Sequence, residues 1–346
     1  MDENDPQFTK ERKKLMHTPV SQIQVHDRMT VRELVDNFSG MSIQARNIGN
    51  AAKTWQKMLT DKERPVIFMG LTGPLIAAGL RNVLADIVKK NMVDALVSTG
   101  AIVYQDLLYA MGGEHYHGKS KNVNDKKLRE LRINRIYDVF SDDLLFFKAD
   151  DYIDKYTQKN IKPGNYSSRE FLRELSRDIE DEGSLLKACY DTNTPVFVPA
   201  LNDSSIGIGL TKYWVNNKDK PKMTIDSIKD NYEMVQIILK AESTGAVYIG
   251  GGVPKNFIND AIVMANFDFG ASVGGHKYAI QISTAIPMDG GLSGSTLGEA
   301  IAWGKVKGDA RKAMVYSEAS IGLPLIFGYL NGNKDIIKRS RLAFRF

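Results

Sequence analysis

The chain has 346 residues, of which 43% are hydrophobic and 25% are charged. This composition is typical of a globular protein with a large buried core, and it argues against a disordered or fibrous chain. The formal net charge of +5 comes from lysines and arginines that are interspersed with acids, without a long basic run. A solvated surface of mixed charge is therefore favoured over a nucleic-acid-binding surface.

The number of cysteines and the length of the apolar segments indicate the cellular compartment of the protein. The single cysteine, Cys189, excludes an intrachain disulfide and fits a reducing environment. Residues 1–16 are charged and lack the apolar core of a signal peptide, and the longest apolar runs are too short to span a membrane. We expect a cytoplasmic protein with no nucleic-acid partner and no membrane partner.

The hydrophobic pattern predicts an N-terminal arm over residues 1–25 and one large domain over 26–346. The expected strands are, in chain order, Arg64–Gly70, Asp94–Ser98, Pro195–Pro199, Ala246–Ile249, Lys277–Ser283 and Ala313–Tyr316. The expected helices are Leu75–Asn91, Val103–Met111, Asp226–Ser243, Pro254–Ala265, Leu297–Lys305 and Ser320–Tyr329. Region 118–165 is polar, and we interpret it as an irregular excursion with one short strand at Asn134–Tyr137.

Strands that alternate with helices predict an α/β fold with a Rossmann-like parallel sheet covered by helices on both faces. In such sheets ligands bind at the carboxyl ends of the strands. Small, polar or glycine-rich segments follow five of the expected strands, namely GLTGP, STGA, ALNDSS, GGGVPKN and STA. We therefore expect the functional residues at this edge of the sheet.

A glycine triplet, Gly250–Gly252, lies between an expected strand and an expected helix. Glycines there allow close approach of a ligand, and the helix N-terminus favours an anionic group. Taken alone, the triplet is better explained as a tight turn from strand to helix, and neither GxGxxG nor a Walker A motif is present. Together with the hydroxyl-bearing strand ends Ser98–Ala101 and Ser283–Ala285, the triplet is consistent with a dinucleotide cleft.

Glu299, Trp303 and Lys305 form the most informative set. On a helix Glu299 and Trp303 would share a face, and Lys305 would follow near the helix end. A lysine amine beside an aromatic surface can lose hydration, which frees its lone pair for imine chemistry. The carboxylate could hold a substrate ammonium and the indole could cover its alkyl chain. The alternative is a surface lysine after an amphipathic helix, and spacing alone favours that alternative.

His115 and His117 have a spacing that could bind a metal on a strand, but no third ligand is close in the sequence. We interpret them as ordinary loop residues and expect no metal site.

The segment EAIAWGK, Glu299–Lys305, resembles the active-site segment of deoxyhypusine synthases. Further segments resemble that family in the same order, from about Pro65 to Leu330: GLTGPLIAAGLR, MVDALVSTGA, INRIYDVF, PVFVPALNDSSIG, YIGGGVPKN, STAIPMDGGLSG and VYSEAS. The resemblance implies bound NAD and a homotetramer of parallel-sheet subunits, with active sites between paired subunits.

The resemblance also implies a reaction. A hydride is removed from spermidine, the active-site lysine takes the butylamine part as a covalent imine, and an acceptor amine receives it before the retained NADH reduces the product. In deoxyhypusine synthases the acceptor is a lysine of the hypusine-carrying translation factor. In homospermidine-forming relatives it is a small polyamine.

The resemblance also assigns roles to single residues, according to their positions in the matched segments. Lys305 matches the nucleophile, and Glu299 and Trp303 match a pair in the substrate pocket. The positions that match the family's cofactor residues are Gly73, Ala77, Thr99, Gly100, Ala101, Asp203, Gly251, Thr284, Ala285, Glu318 and Ala319. Glu318 replaces an aspartate, and its longer side chain should still reach ribose hydroxyls.

The expected substrate side departs from the eukaryotic pattern. Ile208 and Leu292 stand where that pattern has aspartates, Asn256 replaces a histidine, and Tyr104 and Gln105 replace a pair of glutamates. Because a polyamine site needs carboxylates to pair with ammonium groups, these changes imply another substrate or acids from elsewhere. The candidates for such acids are Asp106, Asp260 and Asp289.

Three functions remain open at this point. The first is modification of the translation-factor lysine. The second is the same imine chemistry on a small amine, giving homospermidine or a guanidino-polyamine analogue. The third is a catalytically silent NAD-binding homologue.

Overall fold

A computed structural model describes residues 6–118, 123–290, 295–333, 336 and 339–346. Its strands are β1 (Val66–Leu71), β2 (Ala95–Ser98), β3 (His115–His117), β4 (Ile133–Ile136), β5 (Val139–Asp142), β6 (Gly164–Tyr166), β7 (Val196–Phe197), β8 (Met223–Ile225), β9 (Thr244–Ile249), β10 (His276–Ile282) and β11 (Val306–Val315).

The α-helices of the described residues alternate with these strands. They are α1 (Pro6–Leu15), α2 (Val31–Phe38), α3 (Ile43–Thr60), α4 (Arg81–Lys89), α5 (Gly100–Ala110), α6 (Asp125–Glu130), α7 (Asp143–Asn160), α8 (Ser168–Ser176), α9 (Leu185–Thr192), α10 (Ser205–Asn216), α11 (Ser227–Leu239), α12 (Gly252–Phe267), α13 (Glu299–Ala302) and α14 (Ala319–Asn331). None of them is long and apolar enough to cross a membrane.

Six strands form one parallel sheet in the order β7-β2-β1-β9-β10-β11. In chain order this is 3-2-1-4-5-6, an arrangement shared by dinucleotide-binding sheets. The strand order reverses between β1 and β9, which makes this point the topological switch at which such sheets bind ligands. The expected parallel-sheet α/β fold is confirmed.

Two apolar cores cover the two faces of the sheet. Along β1, Ile67, Met69 and Leu71 belong to one core, and Val66 and Phe68 belong to the other. This alternation follows from the two-residue period of a strand. Because both faces are buried, the strand is apolar throughout, which is why it could be found from sequence.

Region 118–165 is more regular than its polar sequence suggests. β3, β5 and β4 form an antiparallel sheet, and α7 runs for 18 residues. The expectation of an irregular excursion was therefore wrong for most of this region. Charged residues surround a narrow apolar stripe of α7 that contains the buried Ala149, Ile153 and Tyr156, and α7 packs on α10.

Two expected helices are shorter than predicted. The helix expected from Leu75 begins at Arg81, after a turn segment in which Gly79 has φ +86°. The helix expected over Leu297–Lys305 is limited to Glu299–Ala302. In both cases a glycine in the left-handed region marks the boundary, because other residues rarely adopt that conformation.

The two chain ends differ in how they pack. α1 has no buried residue, and the division into an arm over 1–25 and a domain over 26–346 stays a prediction. Near the other end, Arg339 pairs with the buried carboxylate of Asp94, which also accepts hydrogen bonds from Arg64 and from the backbone N–H of Ile67. This cluster fixes the C-terminal segment against the amino end of β1.

Candidate active site

Each of the six parallel strands is followed by at least one residue that the sequence assigned to the cofactor. These residues are Gly73 after β1, Thr99 after β2, Asp203 after β7, Gly251 after β9, Thr284 after β10 and Glu318 after β11. Because carboxyl ends of parallel strands share one edge, the fold places these segments along one edge of the sheet.

The loops after β1 and β9 meet at the topological switch. Thr72 Oγ1 donates a 2.7 Å hydrogen bond to the carbonyl oxygen of Gly251. Gly250 has φ +77°, and a Cβ added to it would lie 3.1 Å from Thr72. Gly73 has φ +98°, and the nearest atom to an added Cβ there is 4.0 Å away, so this backbone has open space beside it. The two loops thus form a narrow junction with an open glycine at its side.

The start of α5 borders the same edge. Thr99 is the N-cap of α5 and makes no side-chain cap hydrogen bond, and Ala101 is exposed. A Cβ added to Gly100 would lie only 2.4 Å from the Ser204 side chain. Gly100 is therefore required for packing between the loops after β2 and β7, a reason that is independent of any ligand.

Gln105 lies inside the subunit and supports the loop after β1. Its Oε1 accepts a 3.2 Å hydrogen bond from the backbone N–H of Ala77. The neighbouring Tyr104 is also buried, and its hydroxyl donates to Asp150 Oδ1 and to the Phe146 carbonyl oxygen. These two residues connect the expected cofactor loop to α7.

The residues after the last two strands are accessible. Glu318 is the exposed N-cap of α14 and accepts a 2.7 Å hydrogen bond from the Ser320 backbone N–H, beside Ala319. Thr284 is exposed, and the Ala285 N–H donates to Ser283 Oγ. The loop after β7 likewise leaves Asp203 exposed.

The position of Lys305 is set by the end of α13. Gly304 adopts φ +69°, its N–H donates to the Ile301 carbonyl oxygen, and the Lys305 N–H donates to the Ala300 carbonyl oxygen. This pair of hydrogen bonds is a Schellman motif, which reverses the chain after a helix. The Lys305 carbonyl then accepts from the N–H of His276, so Lys305 lies at the amino end of β11. The expectation that functional residues follow strands does not hold for Lys305.

The Lys305 side chain is largely enclosed, with 12% exposure. Its Nζ lies 3.2 Å from Asp260 Oδ1 on α12 and 5.5 Å from the centroid of the Trp303 ring. Trp303 is 65% exposed, so one part of its indole remains accessible beside the amine. The lysine amine therefore has an anionic partner and an aromatic partner.

Glu299 is tied to the start of its own helix. It accepts a hydrogen bond from the Thr296 N–H at 2.8 Å, and its own N–H donates to Thr296 Oγ1. These bonds hold the pKa of Glu299 below its usual value. Trp303 caps the other end of α13, so it lies just beyond the helix on which the two were expected to share a face.

A second lysine, Lys255, was missed by the sequence reasoning. It is fully buried, and its Nζ donates to Gln281 Oε1 at 2.9 Å and to the Ser295 carbonyl oxygen. Burial, and secondarily the positive charge of Lys305, lower the pKa of Lys255 to about 8. Gln281 in turn donates to the Gly250 carbonyl oxygen, which connects this lysine to the switch point.

A signal for Lys255 was present in the sequence. The lysine lies near the N-terminus of α12, where the helix dipole disfavours a positive charge. A positive charge in that place lowers the stability of the folded protein, and residues that lower stability in this way are common at functional sites.

Asn256 and Asp260 lie four residues apart on α12, so they share one face of that helix. Asn256 is partly buried and Asp260 is mostly exposed. Of the candidate acids, only Asp260 is seen to contact Lys305. The Asp289 side chain and Leu292 lie outside the described residues.

The expectation that Asp106 could supply a pocket acid was wrong. Its carboxylate is fully buried and accepts hydrogen bonds from Arg81 Nε, Ser184 Oγ and the backbone N–H groups of Leu185 and Leu186. It caps α9 and is saturated by these partners.

Ile208 lies elsewhere in the subunit. It is 53% exposed on α10, a helix that packs mainly on α7 and α5. Lys305, in contrast, lies against α12 and α13. The single subunit therefore does not bring Ile208 to the lysine.

The two histidines of the β3 strand are not part of this cluster. Burial lowers the pKa of His115, whose ring lies 5.3 Å from that of Tyr109, while His117 is exposed. In the part of the chain that the structure describes, no three His, Cys, Asp or Glu side chains are grouped so as to hold a metal ion.

Comparison with known proteins identifies the family. The family model for deoxyhypusine synthase matches residues 33–330. "Probable deoxyhypusine synthase 2" of Methanosarcina acetivorans is 42% identical over 332 residues, covering 95% of this chain and 94% of the relative. A "Deoxyhypusine synthase-like protein" of Chlorobaculum parvum is 44% identical over 301 residues, covering 86% and 85%.

The fold has a counterpart among solved structures. A protein from Entamoeba histolytica that is assigned as a deoxyhypusine synthase superposes with a TM-score of 0.60 at 20% identity, covering 89% of this chain and 96% of its own. That likeness shows a shared fold. The extent of the sequence matches, together with this fold, establishes that the chain belongs to the deoxyhypusine synthase family.

Proposed function

We propose that this protein transfers an aminobutyl group from spermidine or a related amine to an acceptor amine, with Lys305 as the covalent carrier and NAD as cofactor. The observation that carries the proposal is the setting of Lys305: an enclosed amine beside an open indole, a carboxylate and a second, buried lysine. Imine chemistry requires a lysine amine beside the donor, and here the indole offers a surface for the donor's alkyl chain while the carboxylate offers a partner for its ammonium group.

The carboxyl edge of the sheet fits a dinucleotide. The strand order and the open backbone at Gly73 are features that accommodate a pyrophosphate at a switch point. Thr99, Gly100 and Ala101 would offer the start of α5, Glu318 would take ribose hydroxyls, and the remaining expected cofactor residues border the same loops. When bound there, NAD would accept a hydride from the amine donor and later return it.

The donor would lie along α12. The hydrogen bonds from Gly250 through Gln281 to Lys255 lead from the switch point toward Lys305. An extended amine on this path would have one end at the cofactor edge and the other near Asn256, Asp260 and Trp303. Trp303 would cover its methylene groups, and Glu299 would be available to an ammonium group.

The position of Ile208 fits a site that is shared between subunits. Ile208 is exposed and separated from Lys305 within one chain, so it could line the donor site only from a paired copy. We propose a homotetramer with active sites between paired subunits. Mixing two inactive variants, Lys305→Ala and Ile208→Arg, should then restore part of the activity, whereas independent sites would restore none.

The proposal has two versions, which differ in the molecule that accepts the aminobutyl group. The lysine of the hypusine-carrying translation factor is the first candidate, because it is the acceptor that the family name implies. A small amine is the second candidate, favoured by Asn256, which places an uncharged side chain on the same face of α12 as Asp260.

The test is trapping of the covalent intermediate. The purified protein is incubated with NAD and labelled spermidine, reduced with borohydride, and analysed by intact mass and peptide mapping. We expect a butylamine adduct on Lys305 that requires NAD. Lys305→Ala should lose it, and Lys312→Ala, which removes an exposed lysine from β11, the strand that follows Lys305, should keep it.

Other outcomes would redirect or overturn the proposal. An adduct with agmatine but not with spermidine would identify a guanidino-amine donor. A protein that binds NAD but forms no adduct with any amine would be a catalytically silent homologue, contrary to the proposal.

A further inference from the structure

The ion pair between Lys305 and Asp260 opposes the role proposed for the lysine. Asp260 Oδ1 lies 3.2 Å from Nζ and holds the amine in an ion pair, whereas attack on an imine carbon requires Nζ to leave this partner. For the lysine to react, this pair must be broken or exchanged.

The Lys305–Asp260 ion pair is weak enough for another cation to replace Lys305 in it. The Asp260 side chain is 61% exposed, and ion pairs with such exposure are weak because water competes for both charges. Lys305 itself is only 12% exposed and has a second cation near it, since its charge acts on Lys255. Without Asp260, Nζ of Lys305 would face an indole and a lysine, with no carboxylate in contact among the described side chains.

We propose that Asp260 selects a cationic amine donor and that binding of this donor frees Lys305 from its ion pair, an inference that rests on the proposed function. The terminal ammonium of the donor replaces Lys305 at the Asp260 carboxylate. Lys305, left without its anionic partner, is then free to turn toward the donor. A donor without a positive charge at that end would leave the pair intact.

The location of Asp260 supports this role. It shares a face of α12 with Asn256, on the path from the switch point to Lys305. Of the acids considered for the pocket, Asp106 is saturated by its own partners. Asp260 therefore supplies a carboxylate in place of those that the substitutions at Ile208, Tyr104 and Gln105 remove.

The test uses two aldehydes of nearly equal shape, each with cyanoborohydride, on the full chain. One is 4-(trimethylammonio)butanal and the other is its neutral isostere 5,5-dimethylhexanal. Both form imines with lysine directly, so labelling of Lys305, read by peptide mass, reports on the amine without NAD or hydride transfer.

We expect the wild-type protein to prefer the cationic aldehyde by about fivefold at Lys305, the size expected for one partly exposed charge contact. Asp260→Asn should abolish that preference. It should also increase labelling by the neutral aldehyde, because Nζ is no longer held in the ion pair. Asp268→Asn, which removes an exposed carboxylate from the end of the same helix, should behave as the wild type.

The outcomes separate this inference from the proposed function. An unchanged preference in Asp260→Asn, with Lys305 labelled normally, would overturn the role of Asp260 and leave the transfer reaction standing. Failure to trap a spermidine adduct, with the aldehyde preference still dependent on Asp260, would instead count against the transfer reaction alone.

Discussion

Asp230 provides the sharpest prediction about folding stability. Its carboxylate is fully buried at the start of α11, where Oδ1 accepts hydrogen bonds from the N–H and the hydroxyl of Ser168. Oδ2 has no hydrogen-bond partner. The Ser168 hydroxyl also accepts from the N–H of Val198, so this cluster supports the strand end that leads to Asp203. Burial raises the pKa of Asp230 from 3.8 to about 7.

The size of the pH effect on stability follows from the difference in the pKa of Asp230 between the folded and the unfolded chain. Between pH 3.8 and 7 the folded state binds a proton that the unfolded state has released, so stability falls as the pH rises through this range. Integrated from pH 5 to pH 8, this one group should cost about 2.5 kcal/mol of unfolding free energy. The loss should level off above pH 7, where both states are ionised.

The change to make is Asp230→Asn, which keeps the acceptor for Ser168 and removes the titration. Urea unfolding is measured at fixed protein concentration from pH 5 to pH 8. Across that range, the unfolding free energy of the variant relative to that of the wild type should rise by about 2.5 kcal/mol. Asp226→Asn on the same helix is the control, because a partly exposed N-cap tolerates asparagine. If wild type and Asp230→Asn lose stability in parallel with pH, the argument from the buried, unpartnered oxygen is refuted.

Three further changes test other parts of the structure. Gly100→Ala should lower the unfolding free energy by about 1–3 kcal/mol through its clash with Ser204, and the double variant with Ser204→Gly should recover most of that loss in urea unfolding. Asp94→Ala should cost about 3–5 kcal/mol, because it leaves the buried Arg339 guanidinium without its carboxylate; a loss below 1 kcal/mol would contradict this. Lys255→Met should raise the unfolding free energy at neutral pH by about 1–3 kcal/mol, because folding lowers the pKa of Lys255 from 10.5 to about 8. This gain should shrink as the pH rises from 8 to 10.5. The same variant should lose the spermidine adduct, and a variant that is both destabilised and active would refute this reading of Lys255.

The substrate side of the site shows what local sequence could not predict. Tyr104 and Gln105 occupy positions expected in the pocket, but their polar atoms bond to α7 and to the loop after β1. Asp106 appeared available because nothing near it in the chain indicates that Arg81, 25 residues earlier, and the start of α9, about 80 residues later, converge on it. Hydrogen-bond partners at such separations depend on packing and have no local signature.

The sequence by itself determined the alternation of apolar strands and helices, because strands buried on both faces must be apolar throughout. The turn at Lys305, where Gly304 adopts the left-handed conformation, was not predicted, because the expected helix ran through Gly304 to Lys305. The tertiary structure alone decided that Lys305 faces Asp260, which is 45 residues earlier in the chain, and that Lys255 is buried beside the switch point. Charge and burial at these residues come from α12 packing against the sheet, and a contact of that kind is fixed by the whole fold, not by the residues on either side.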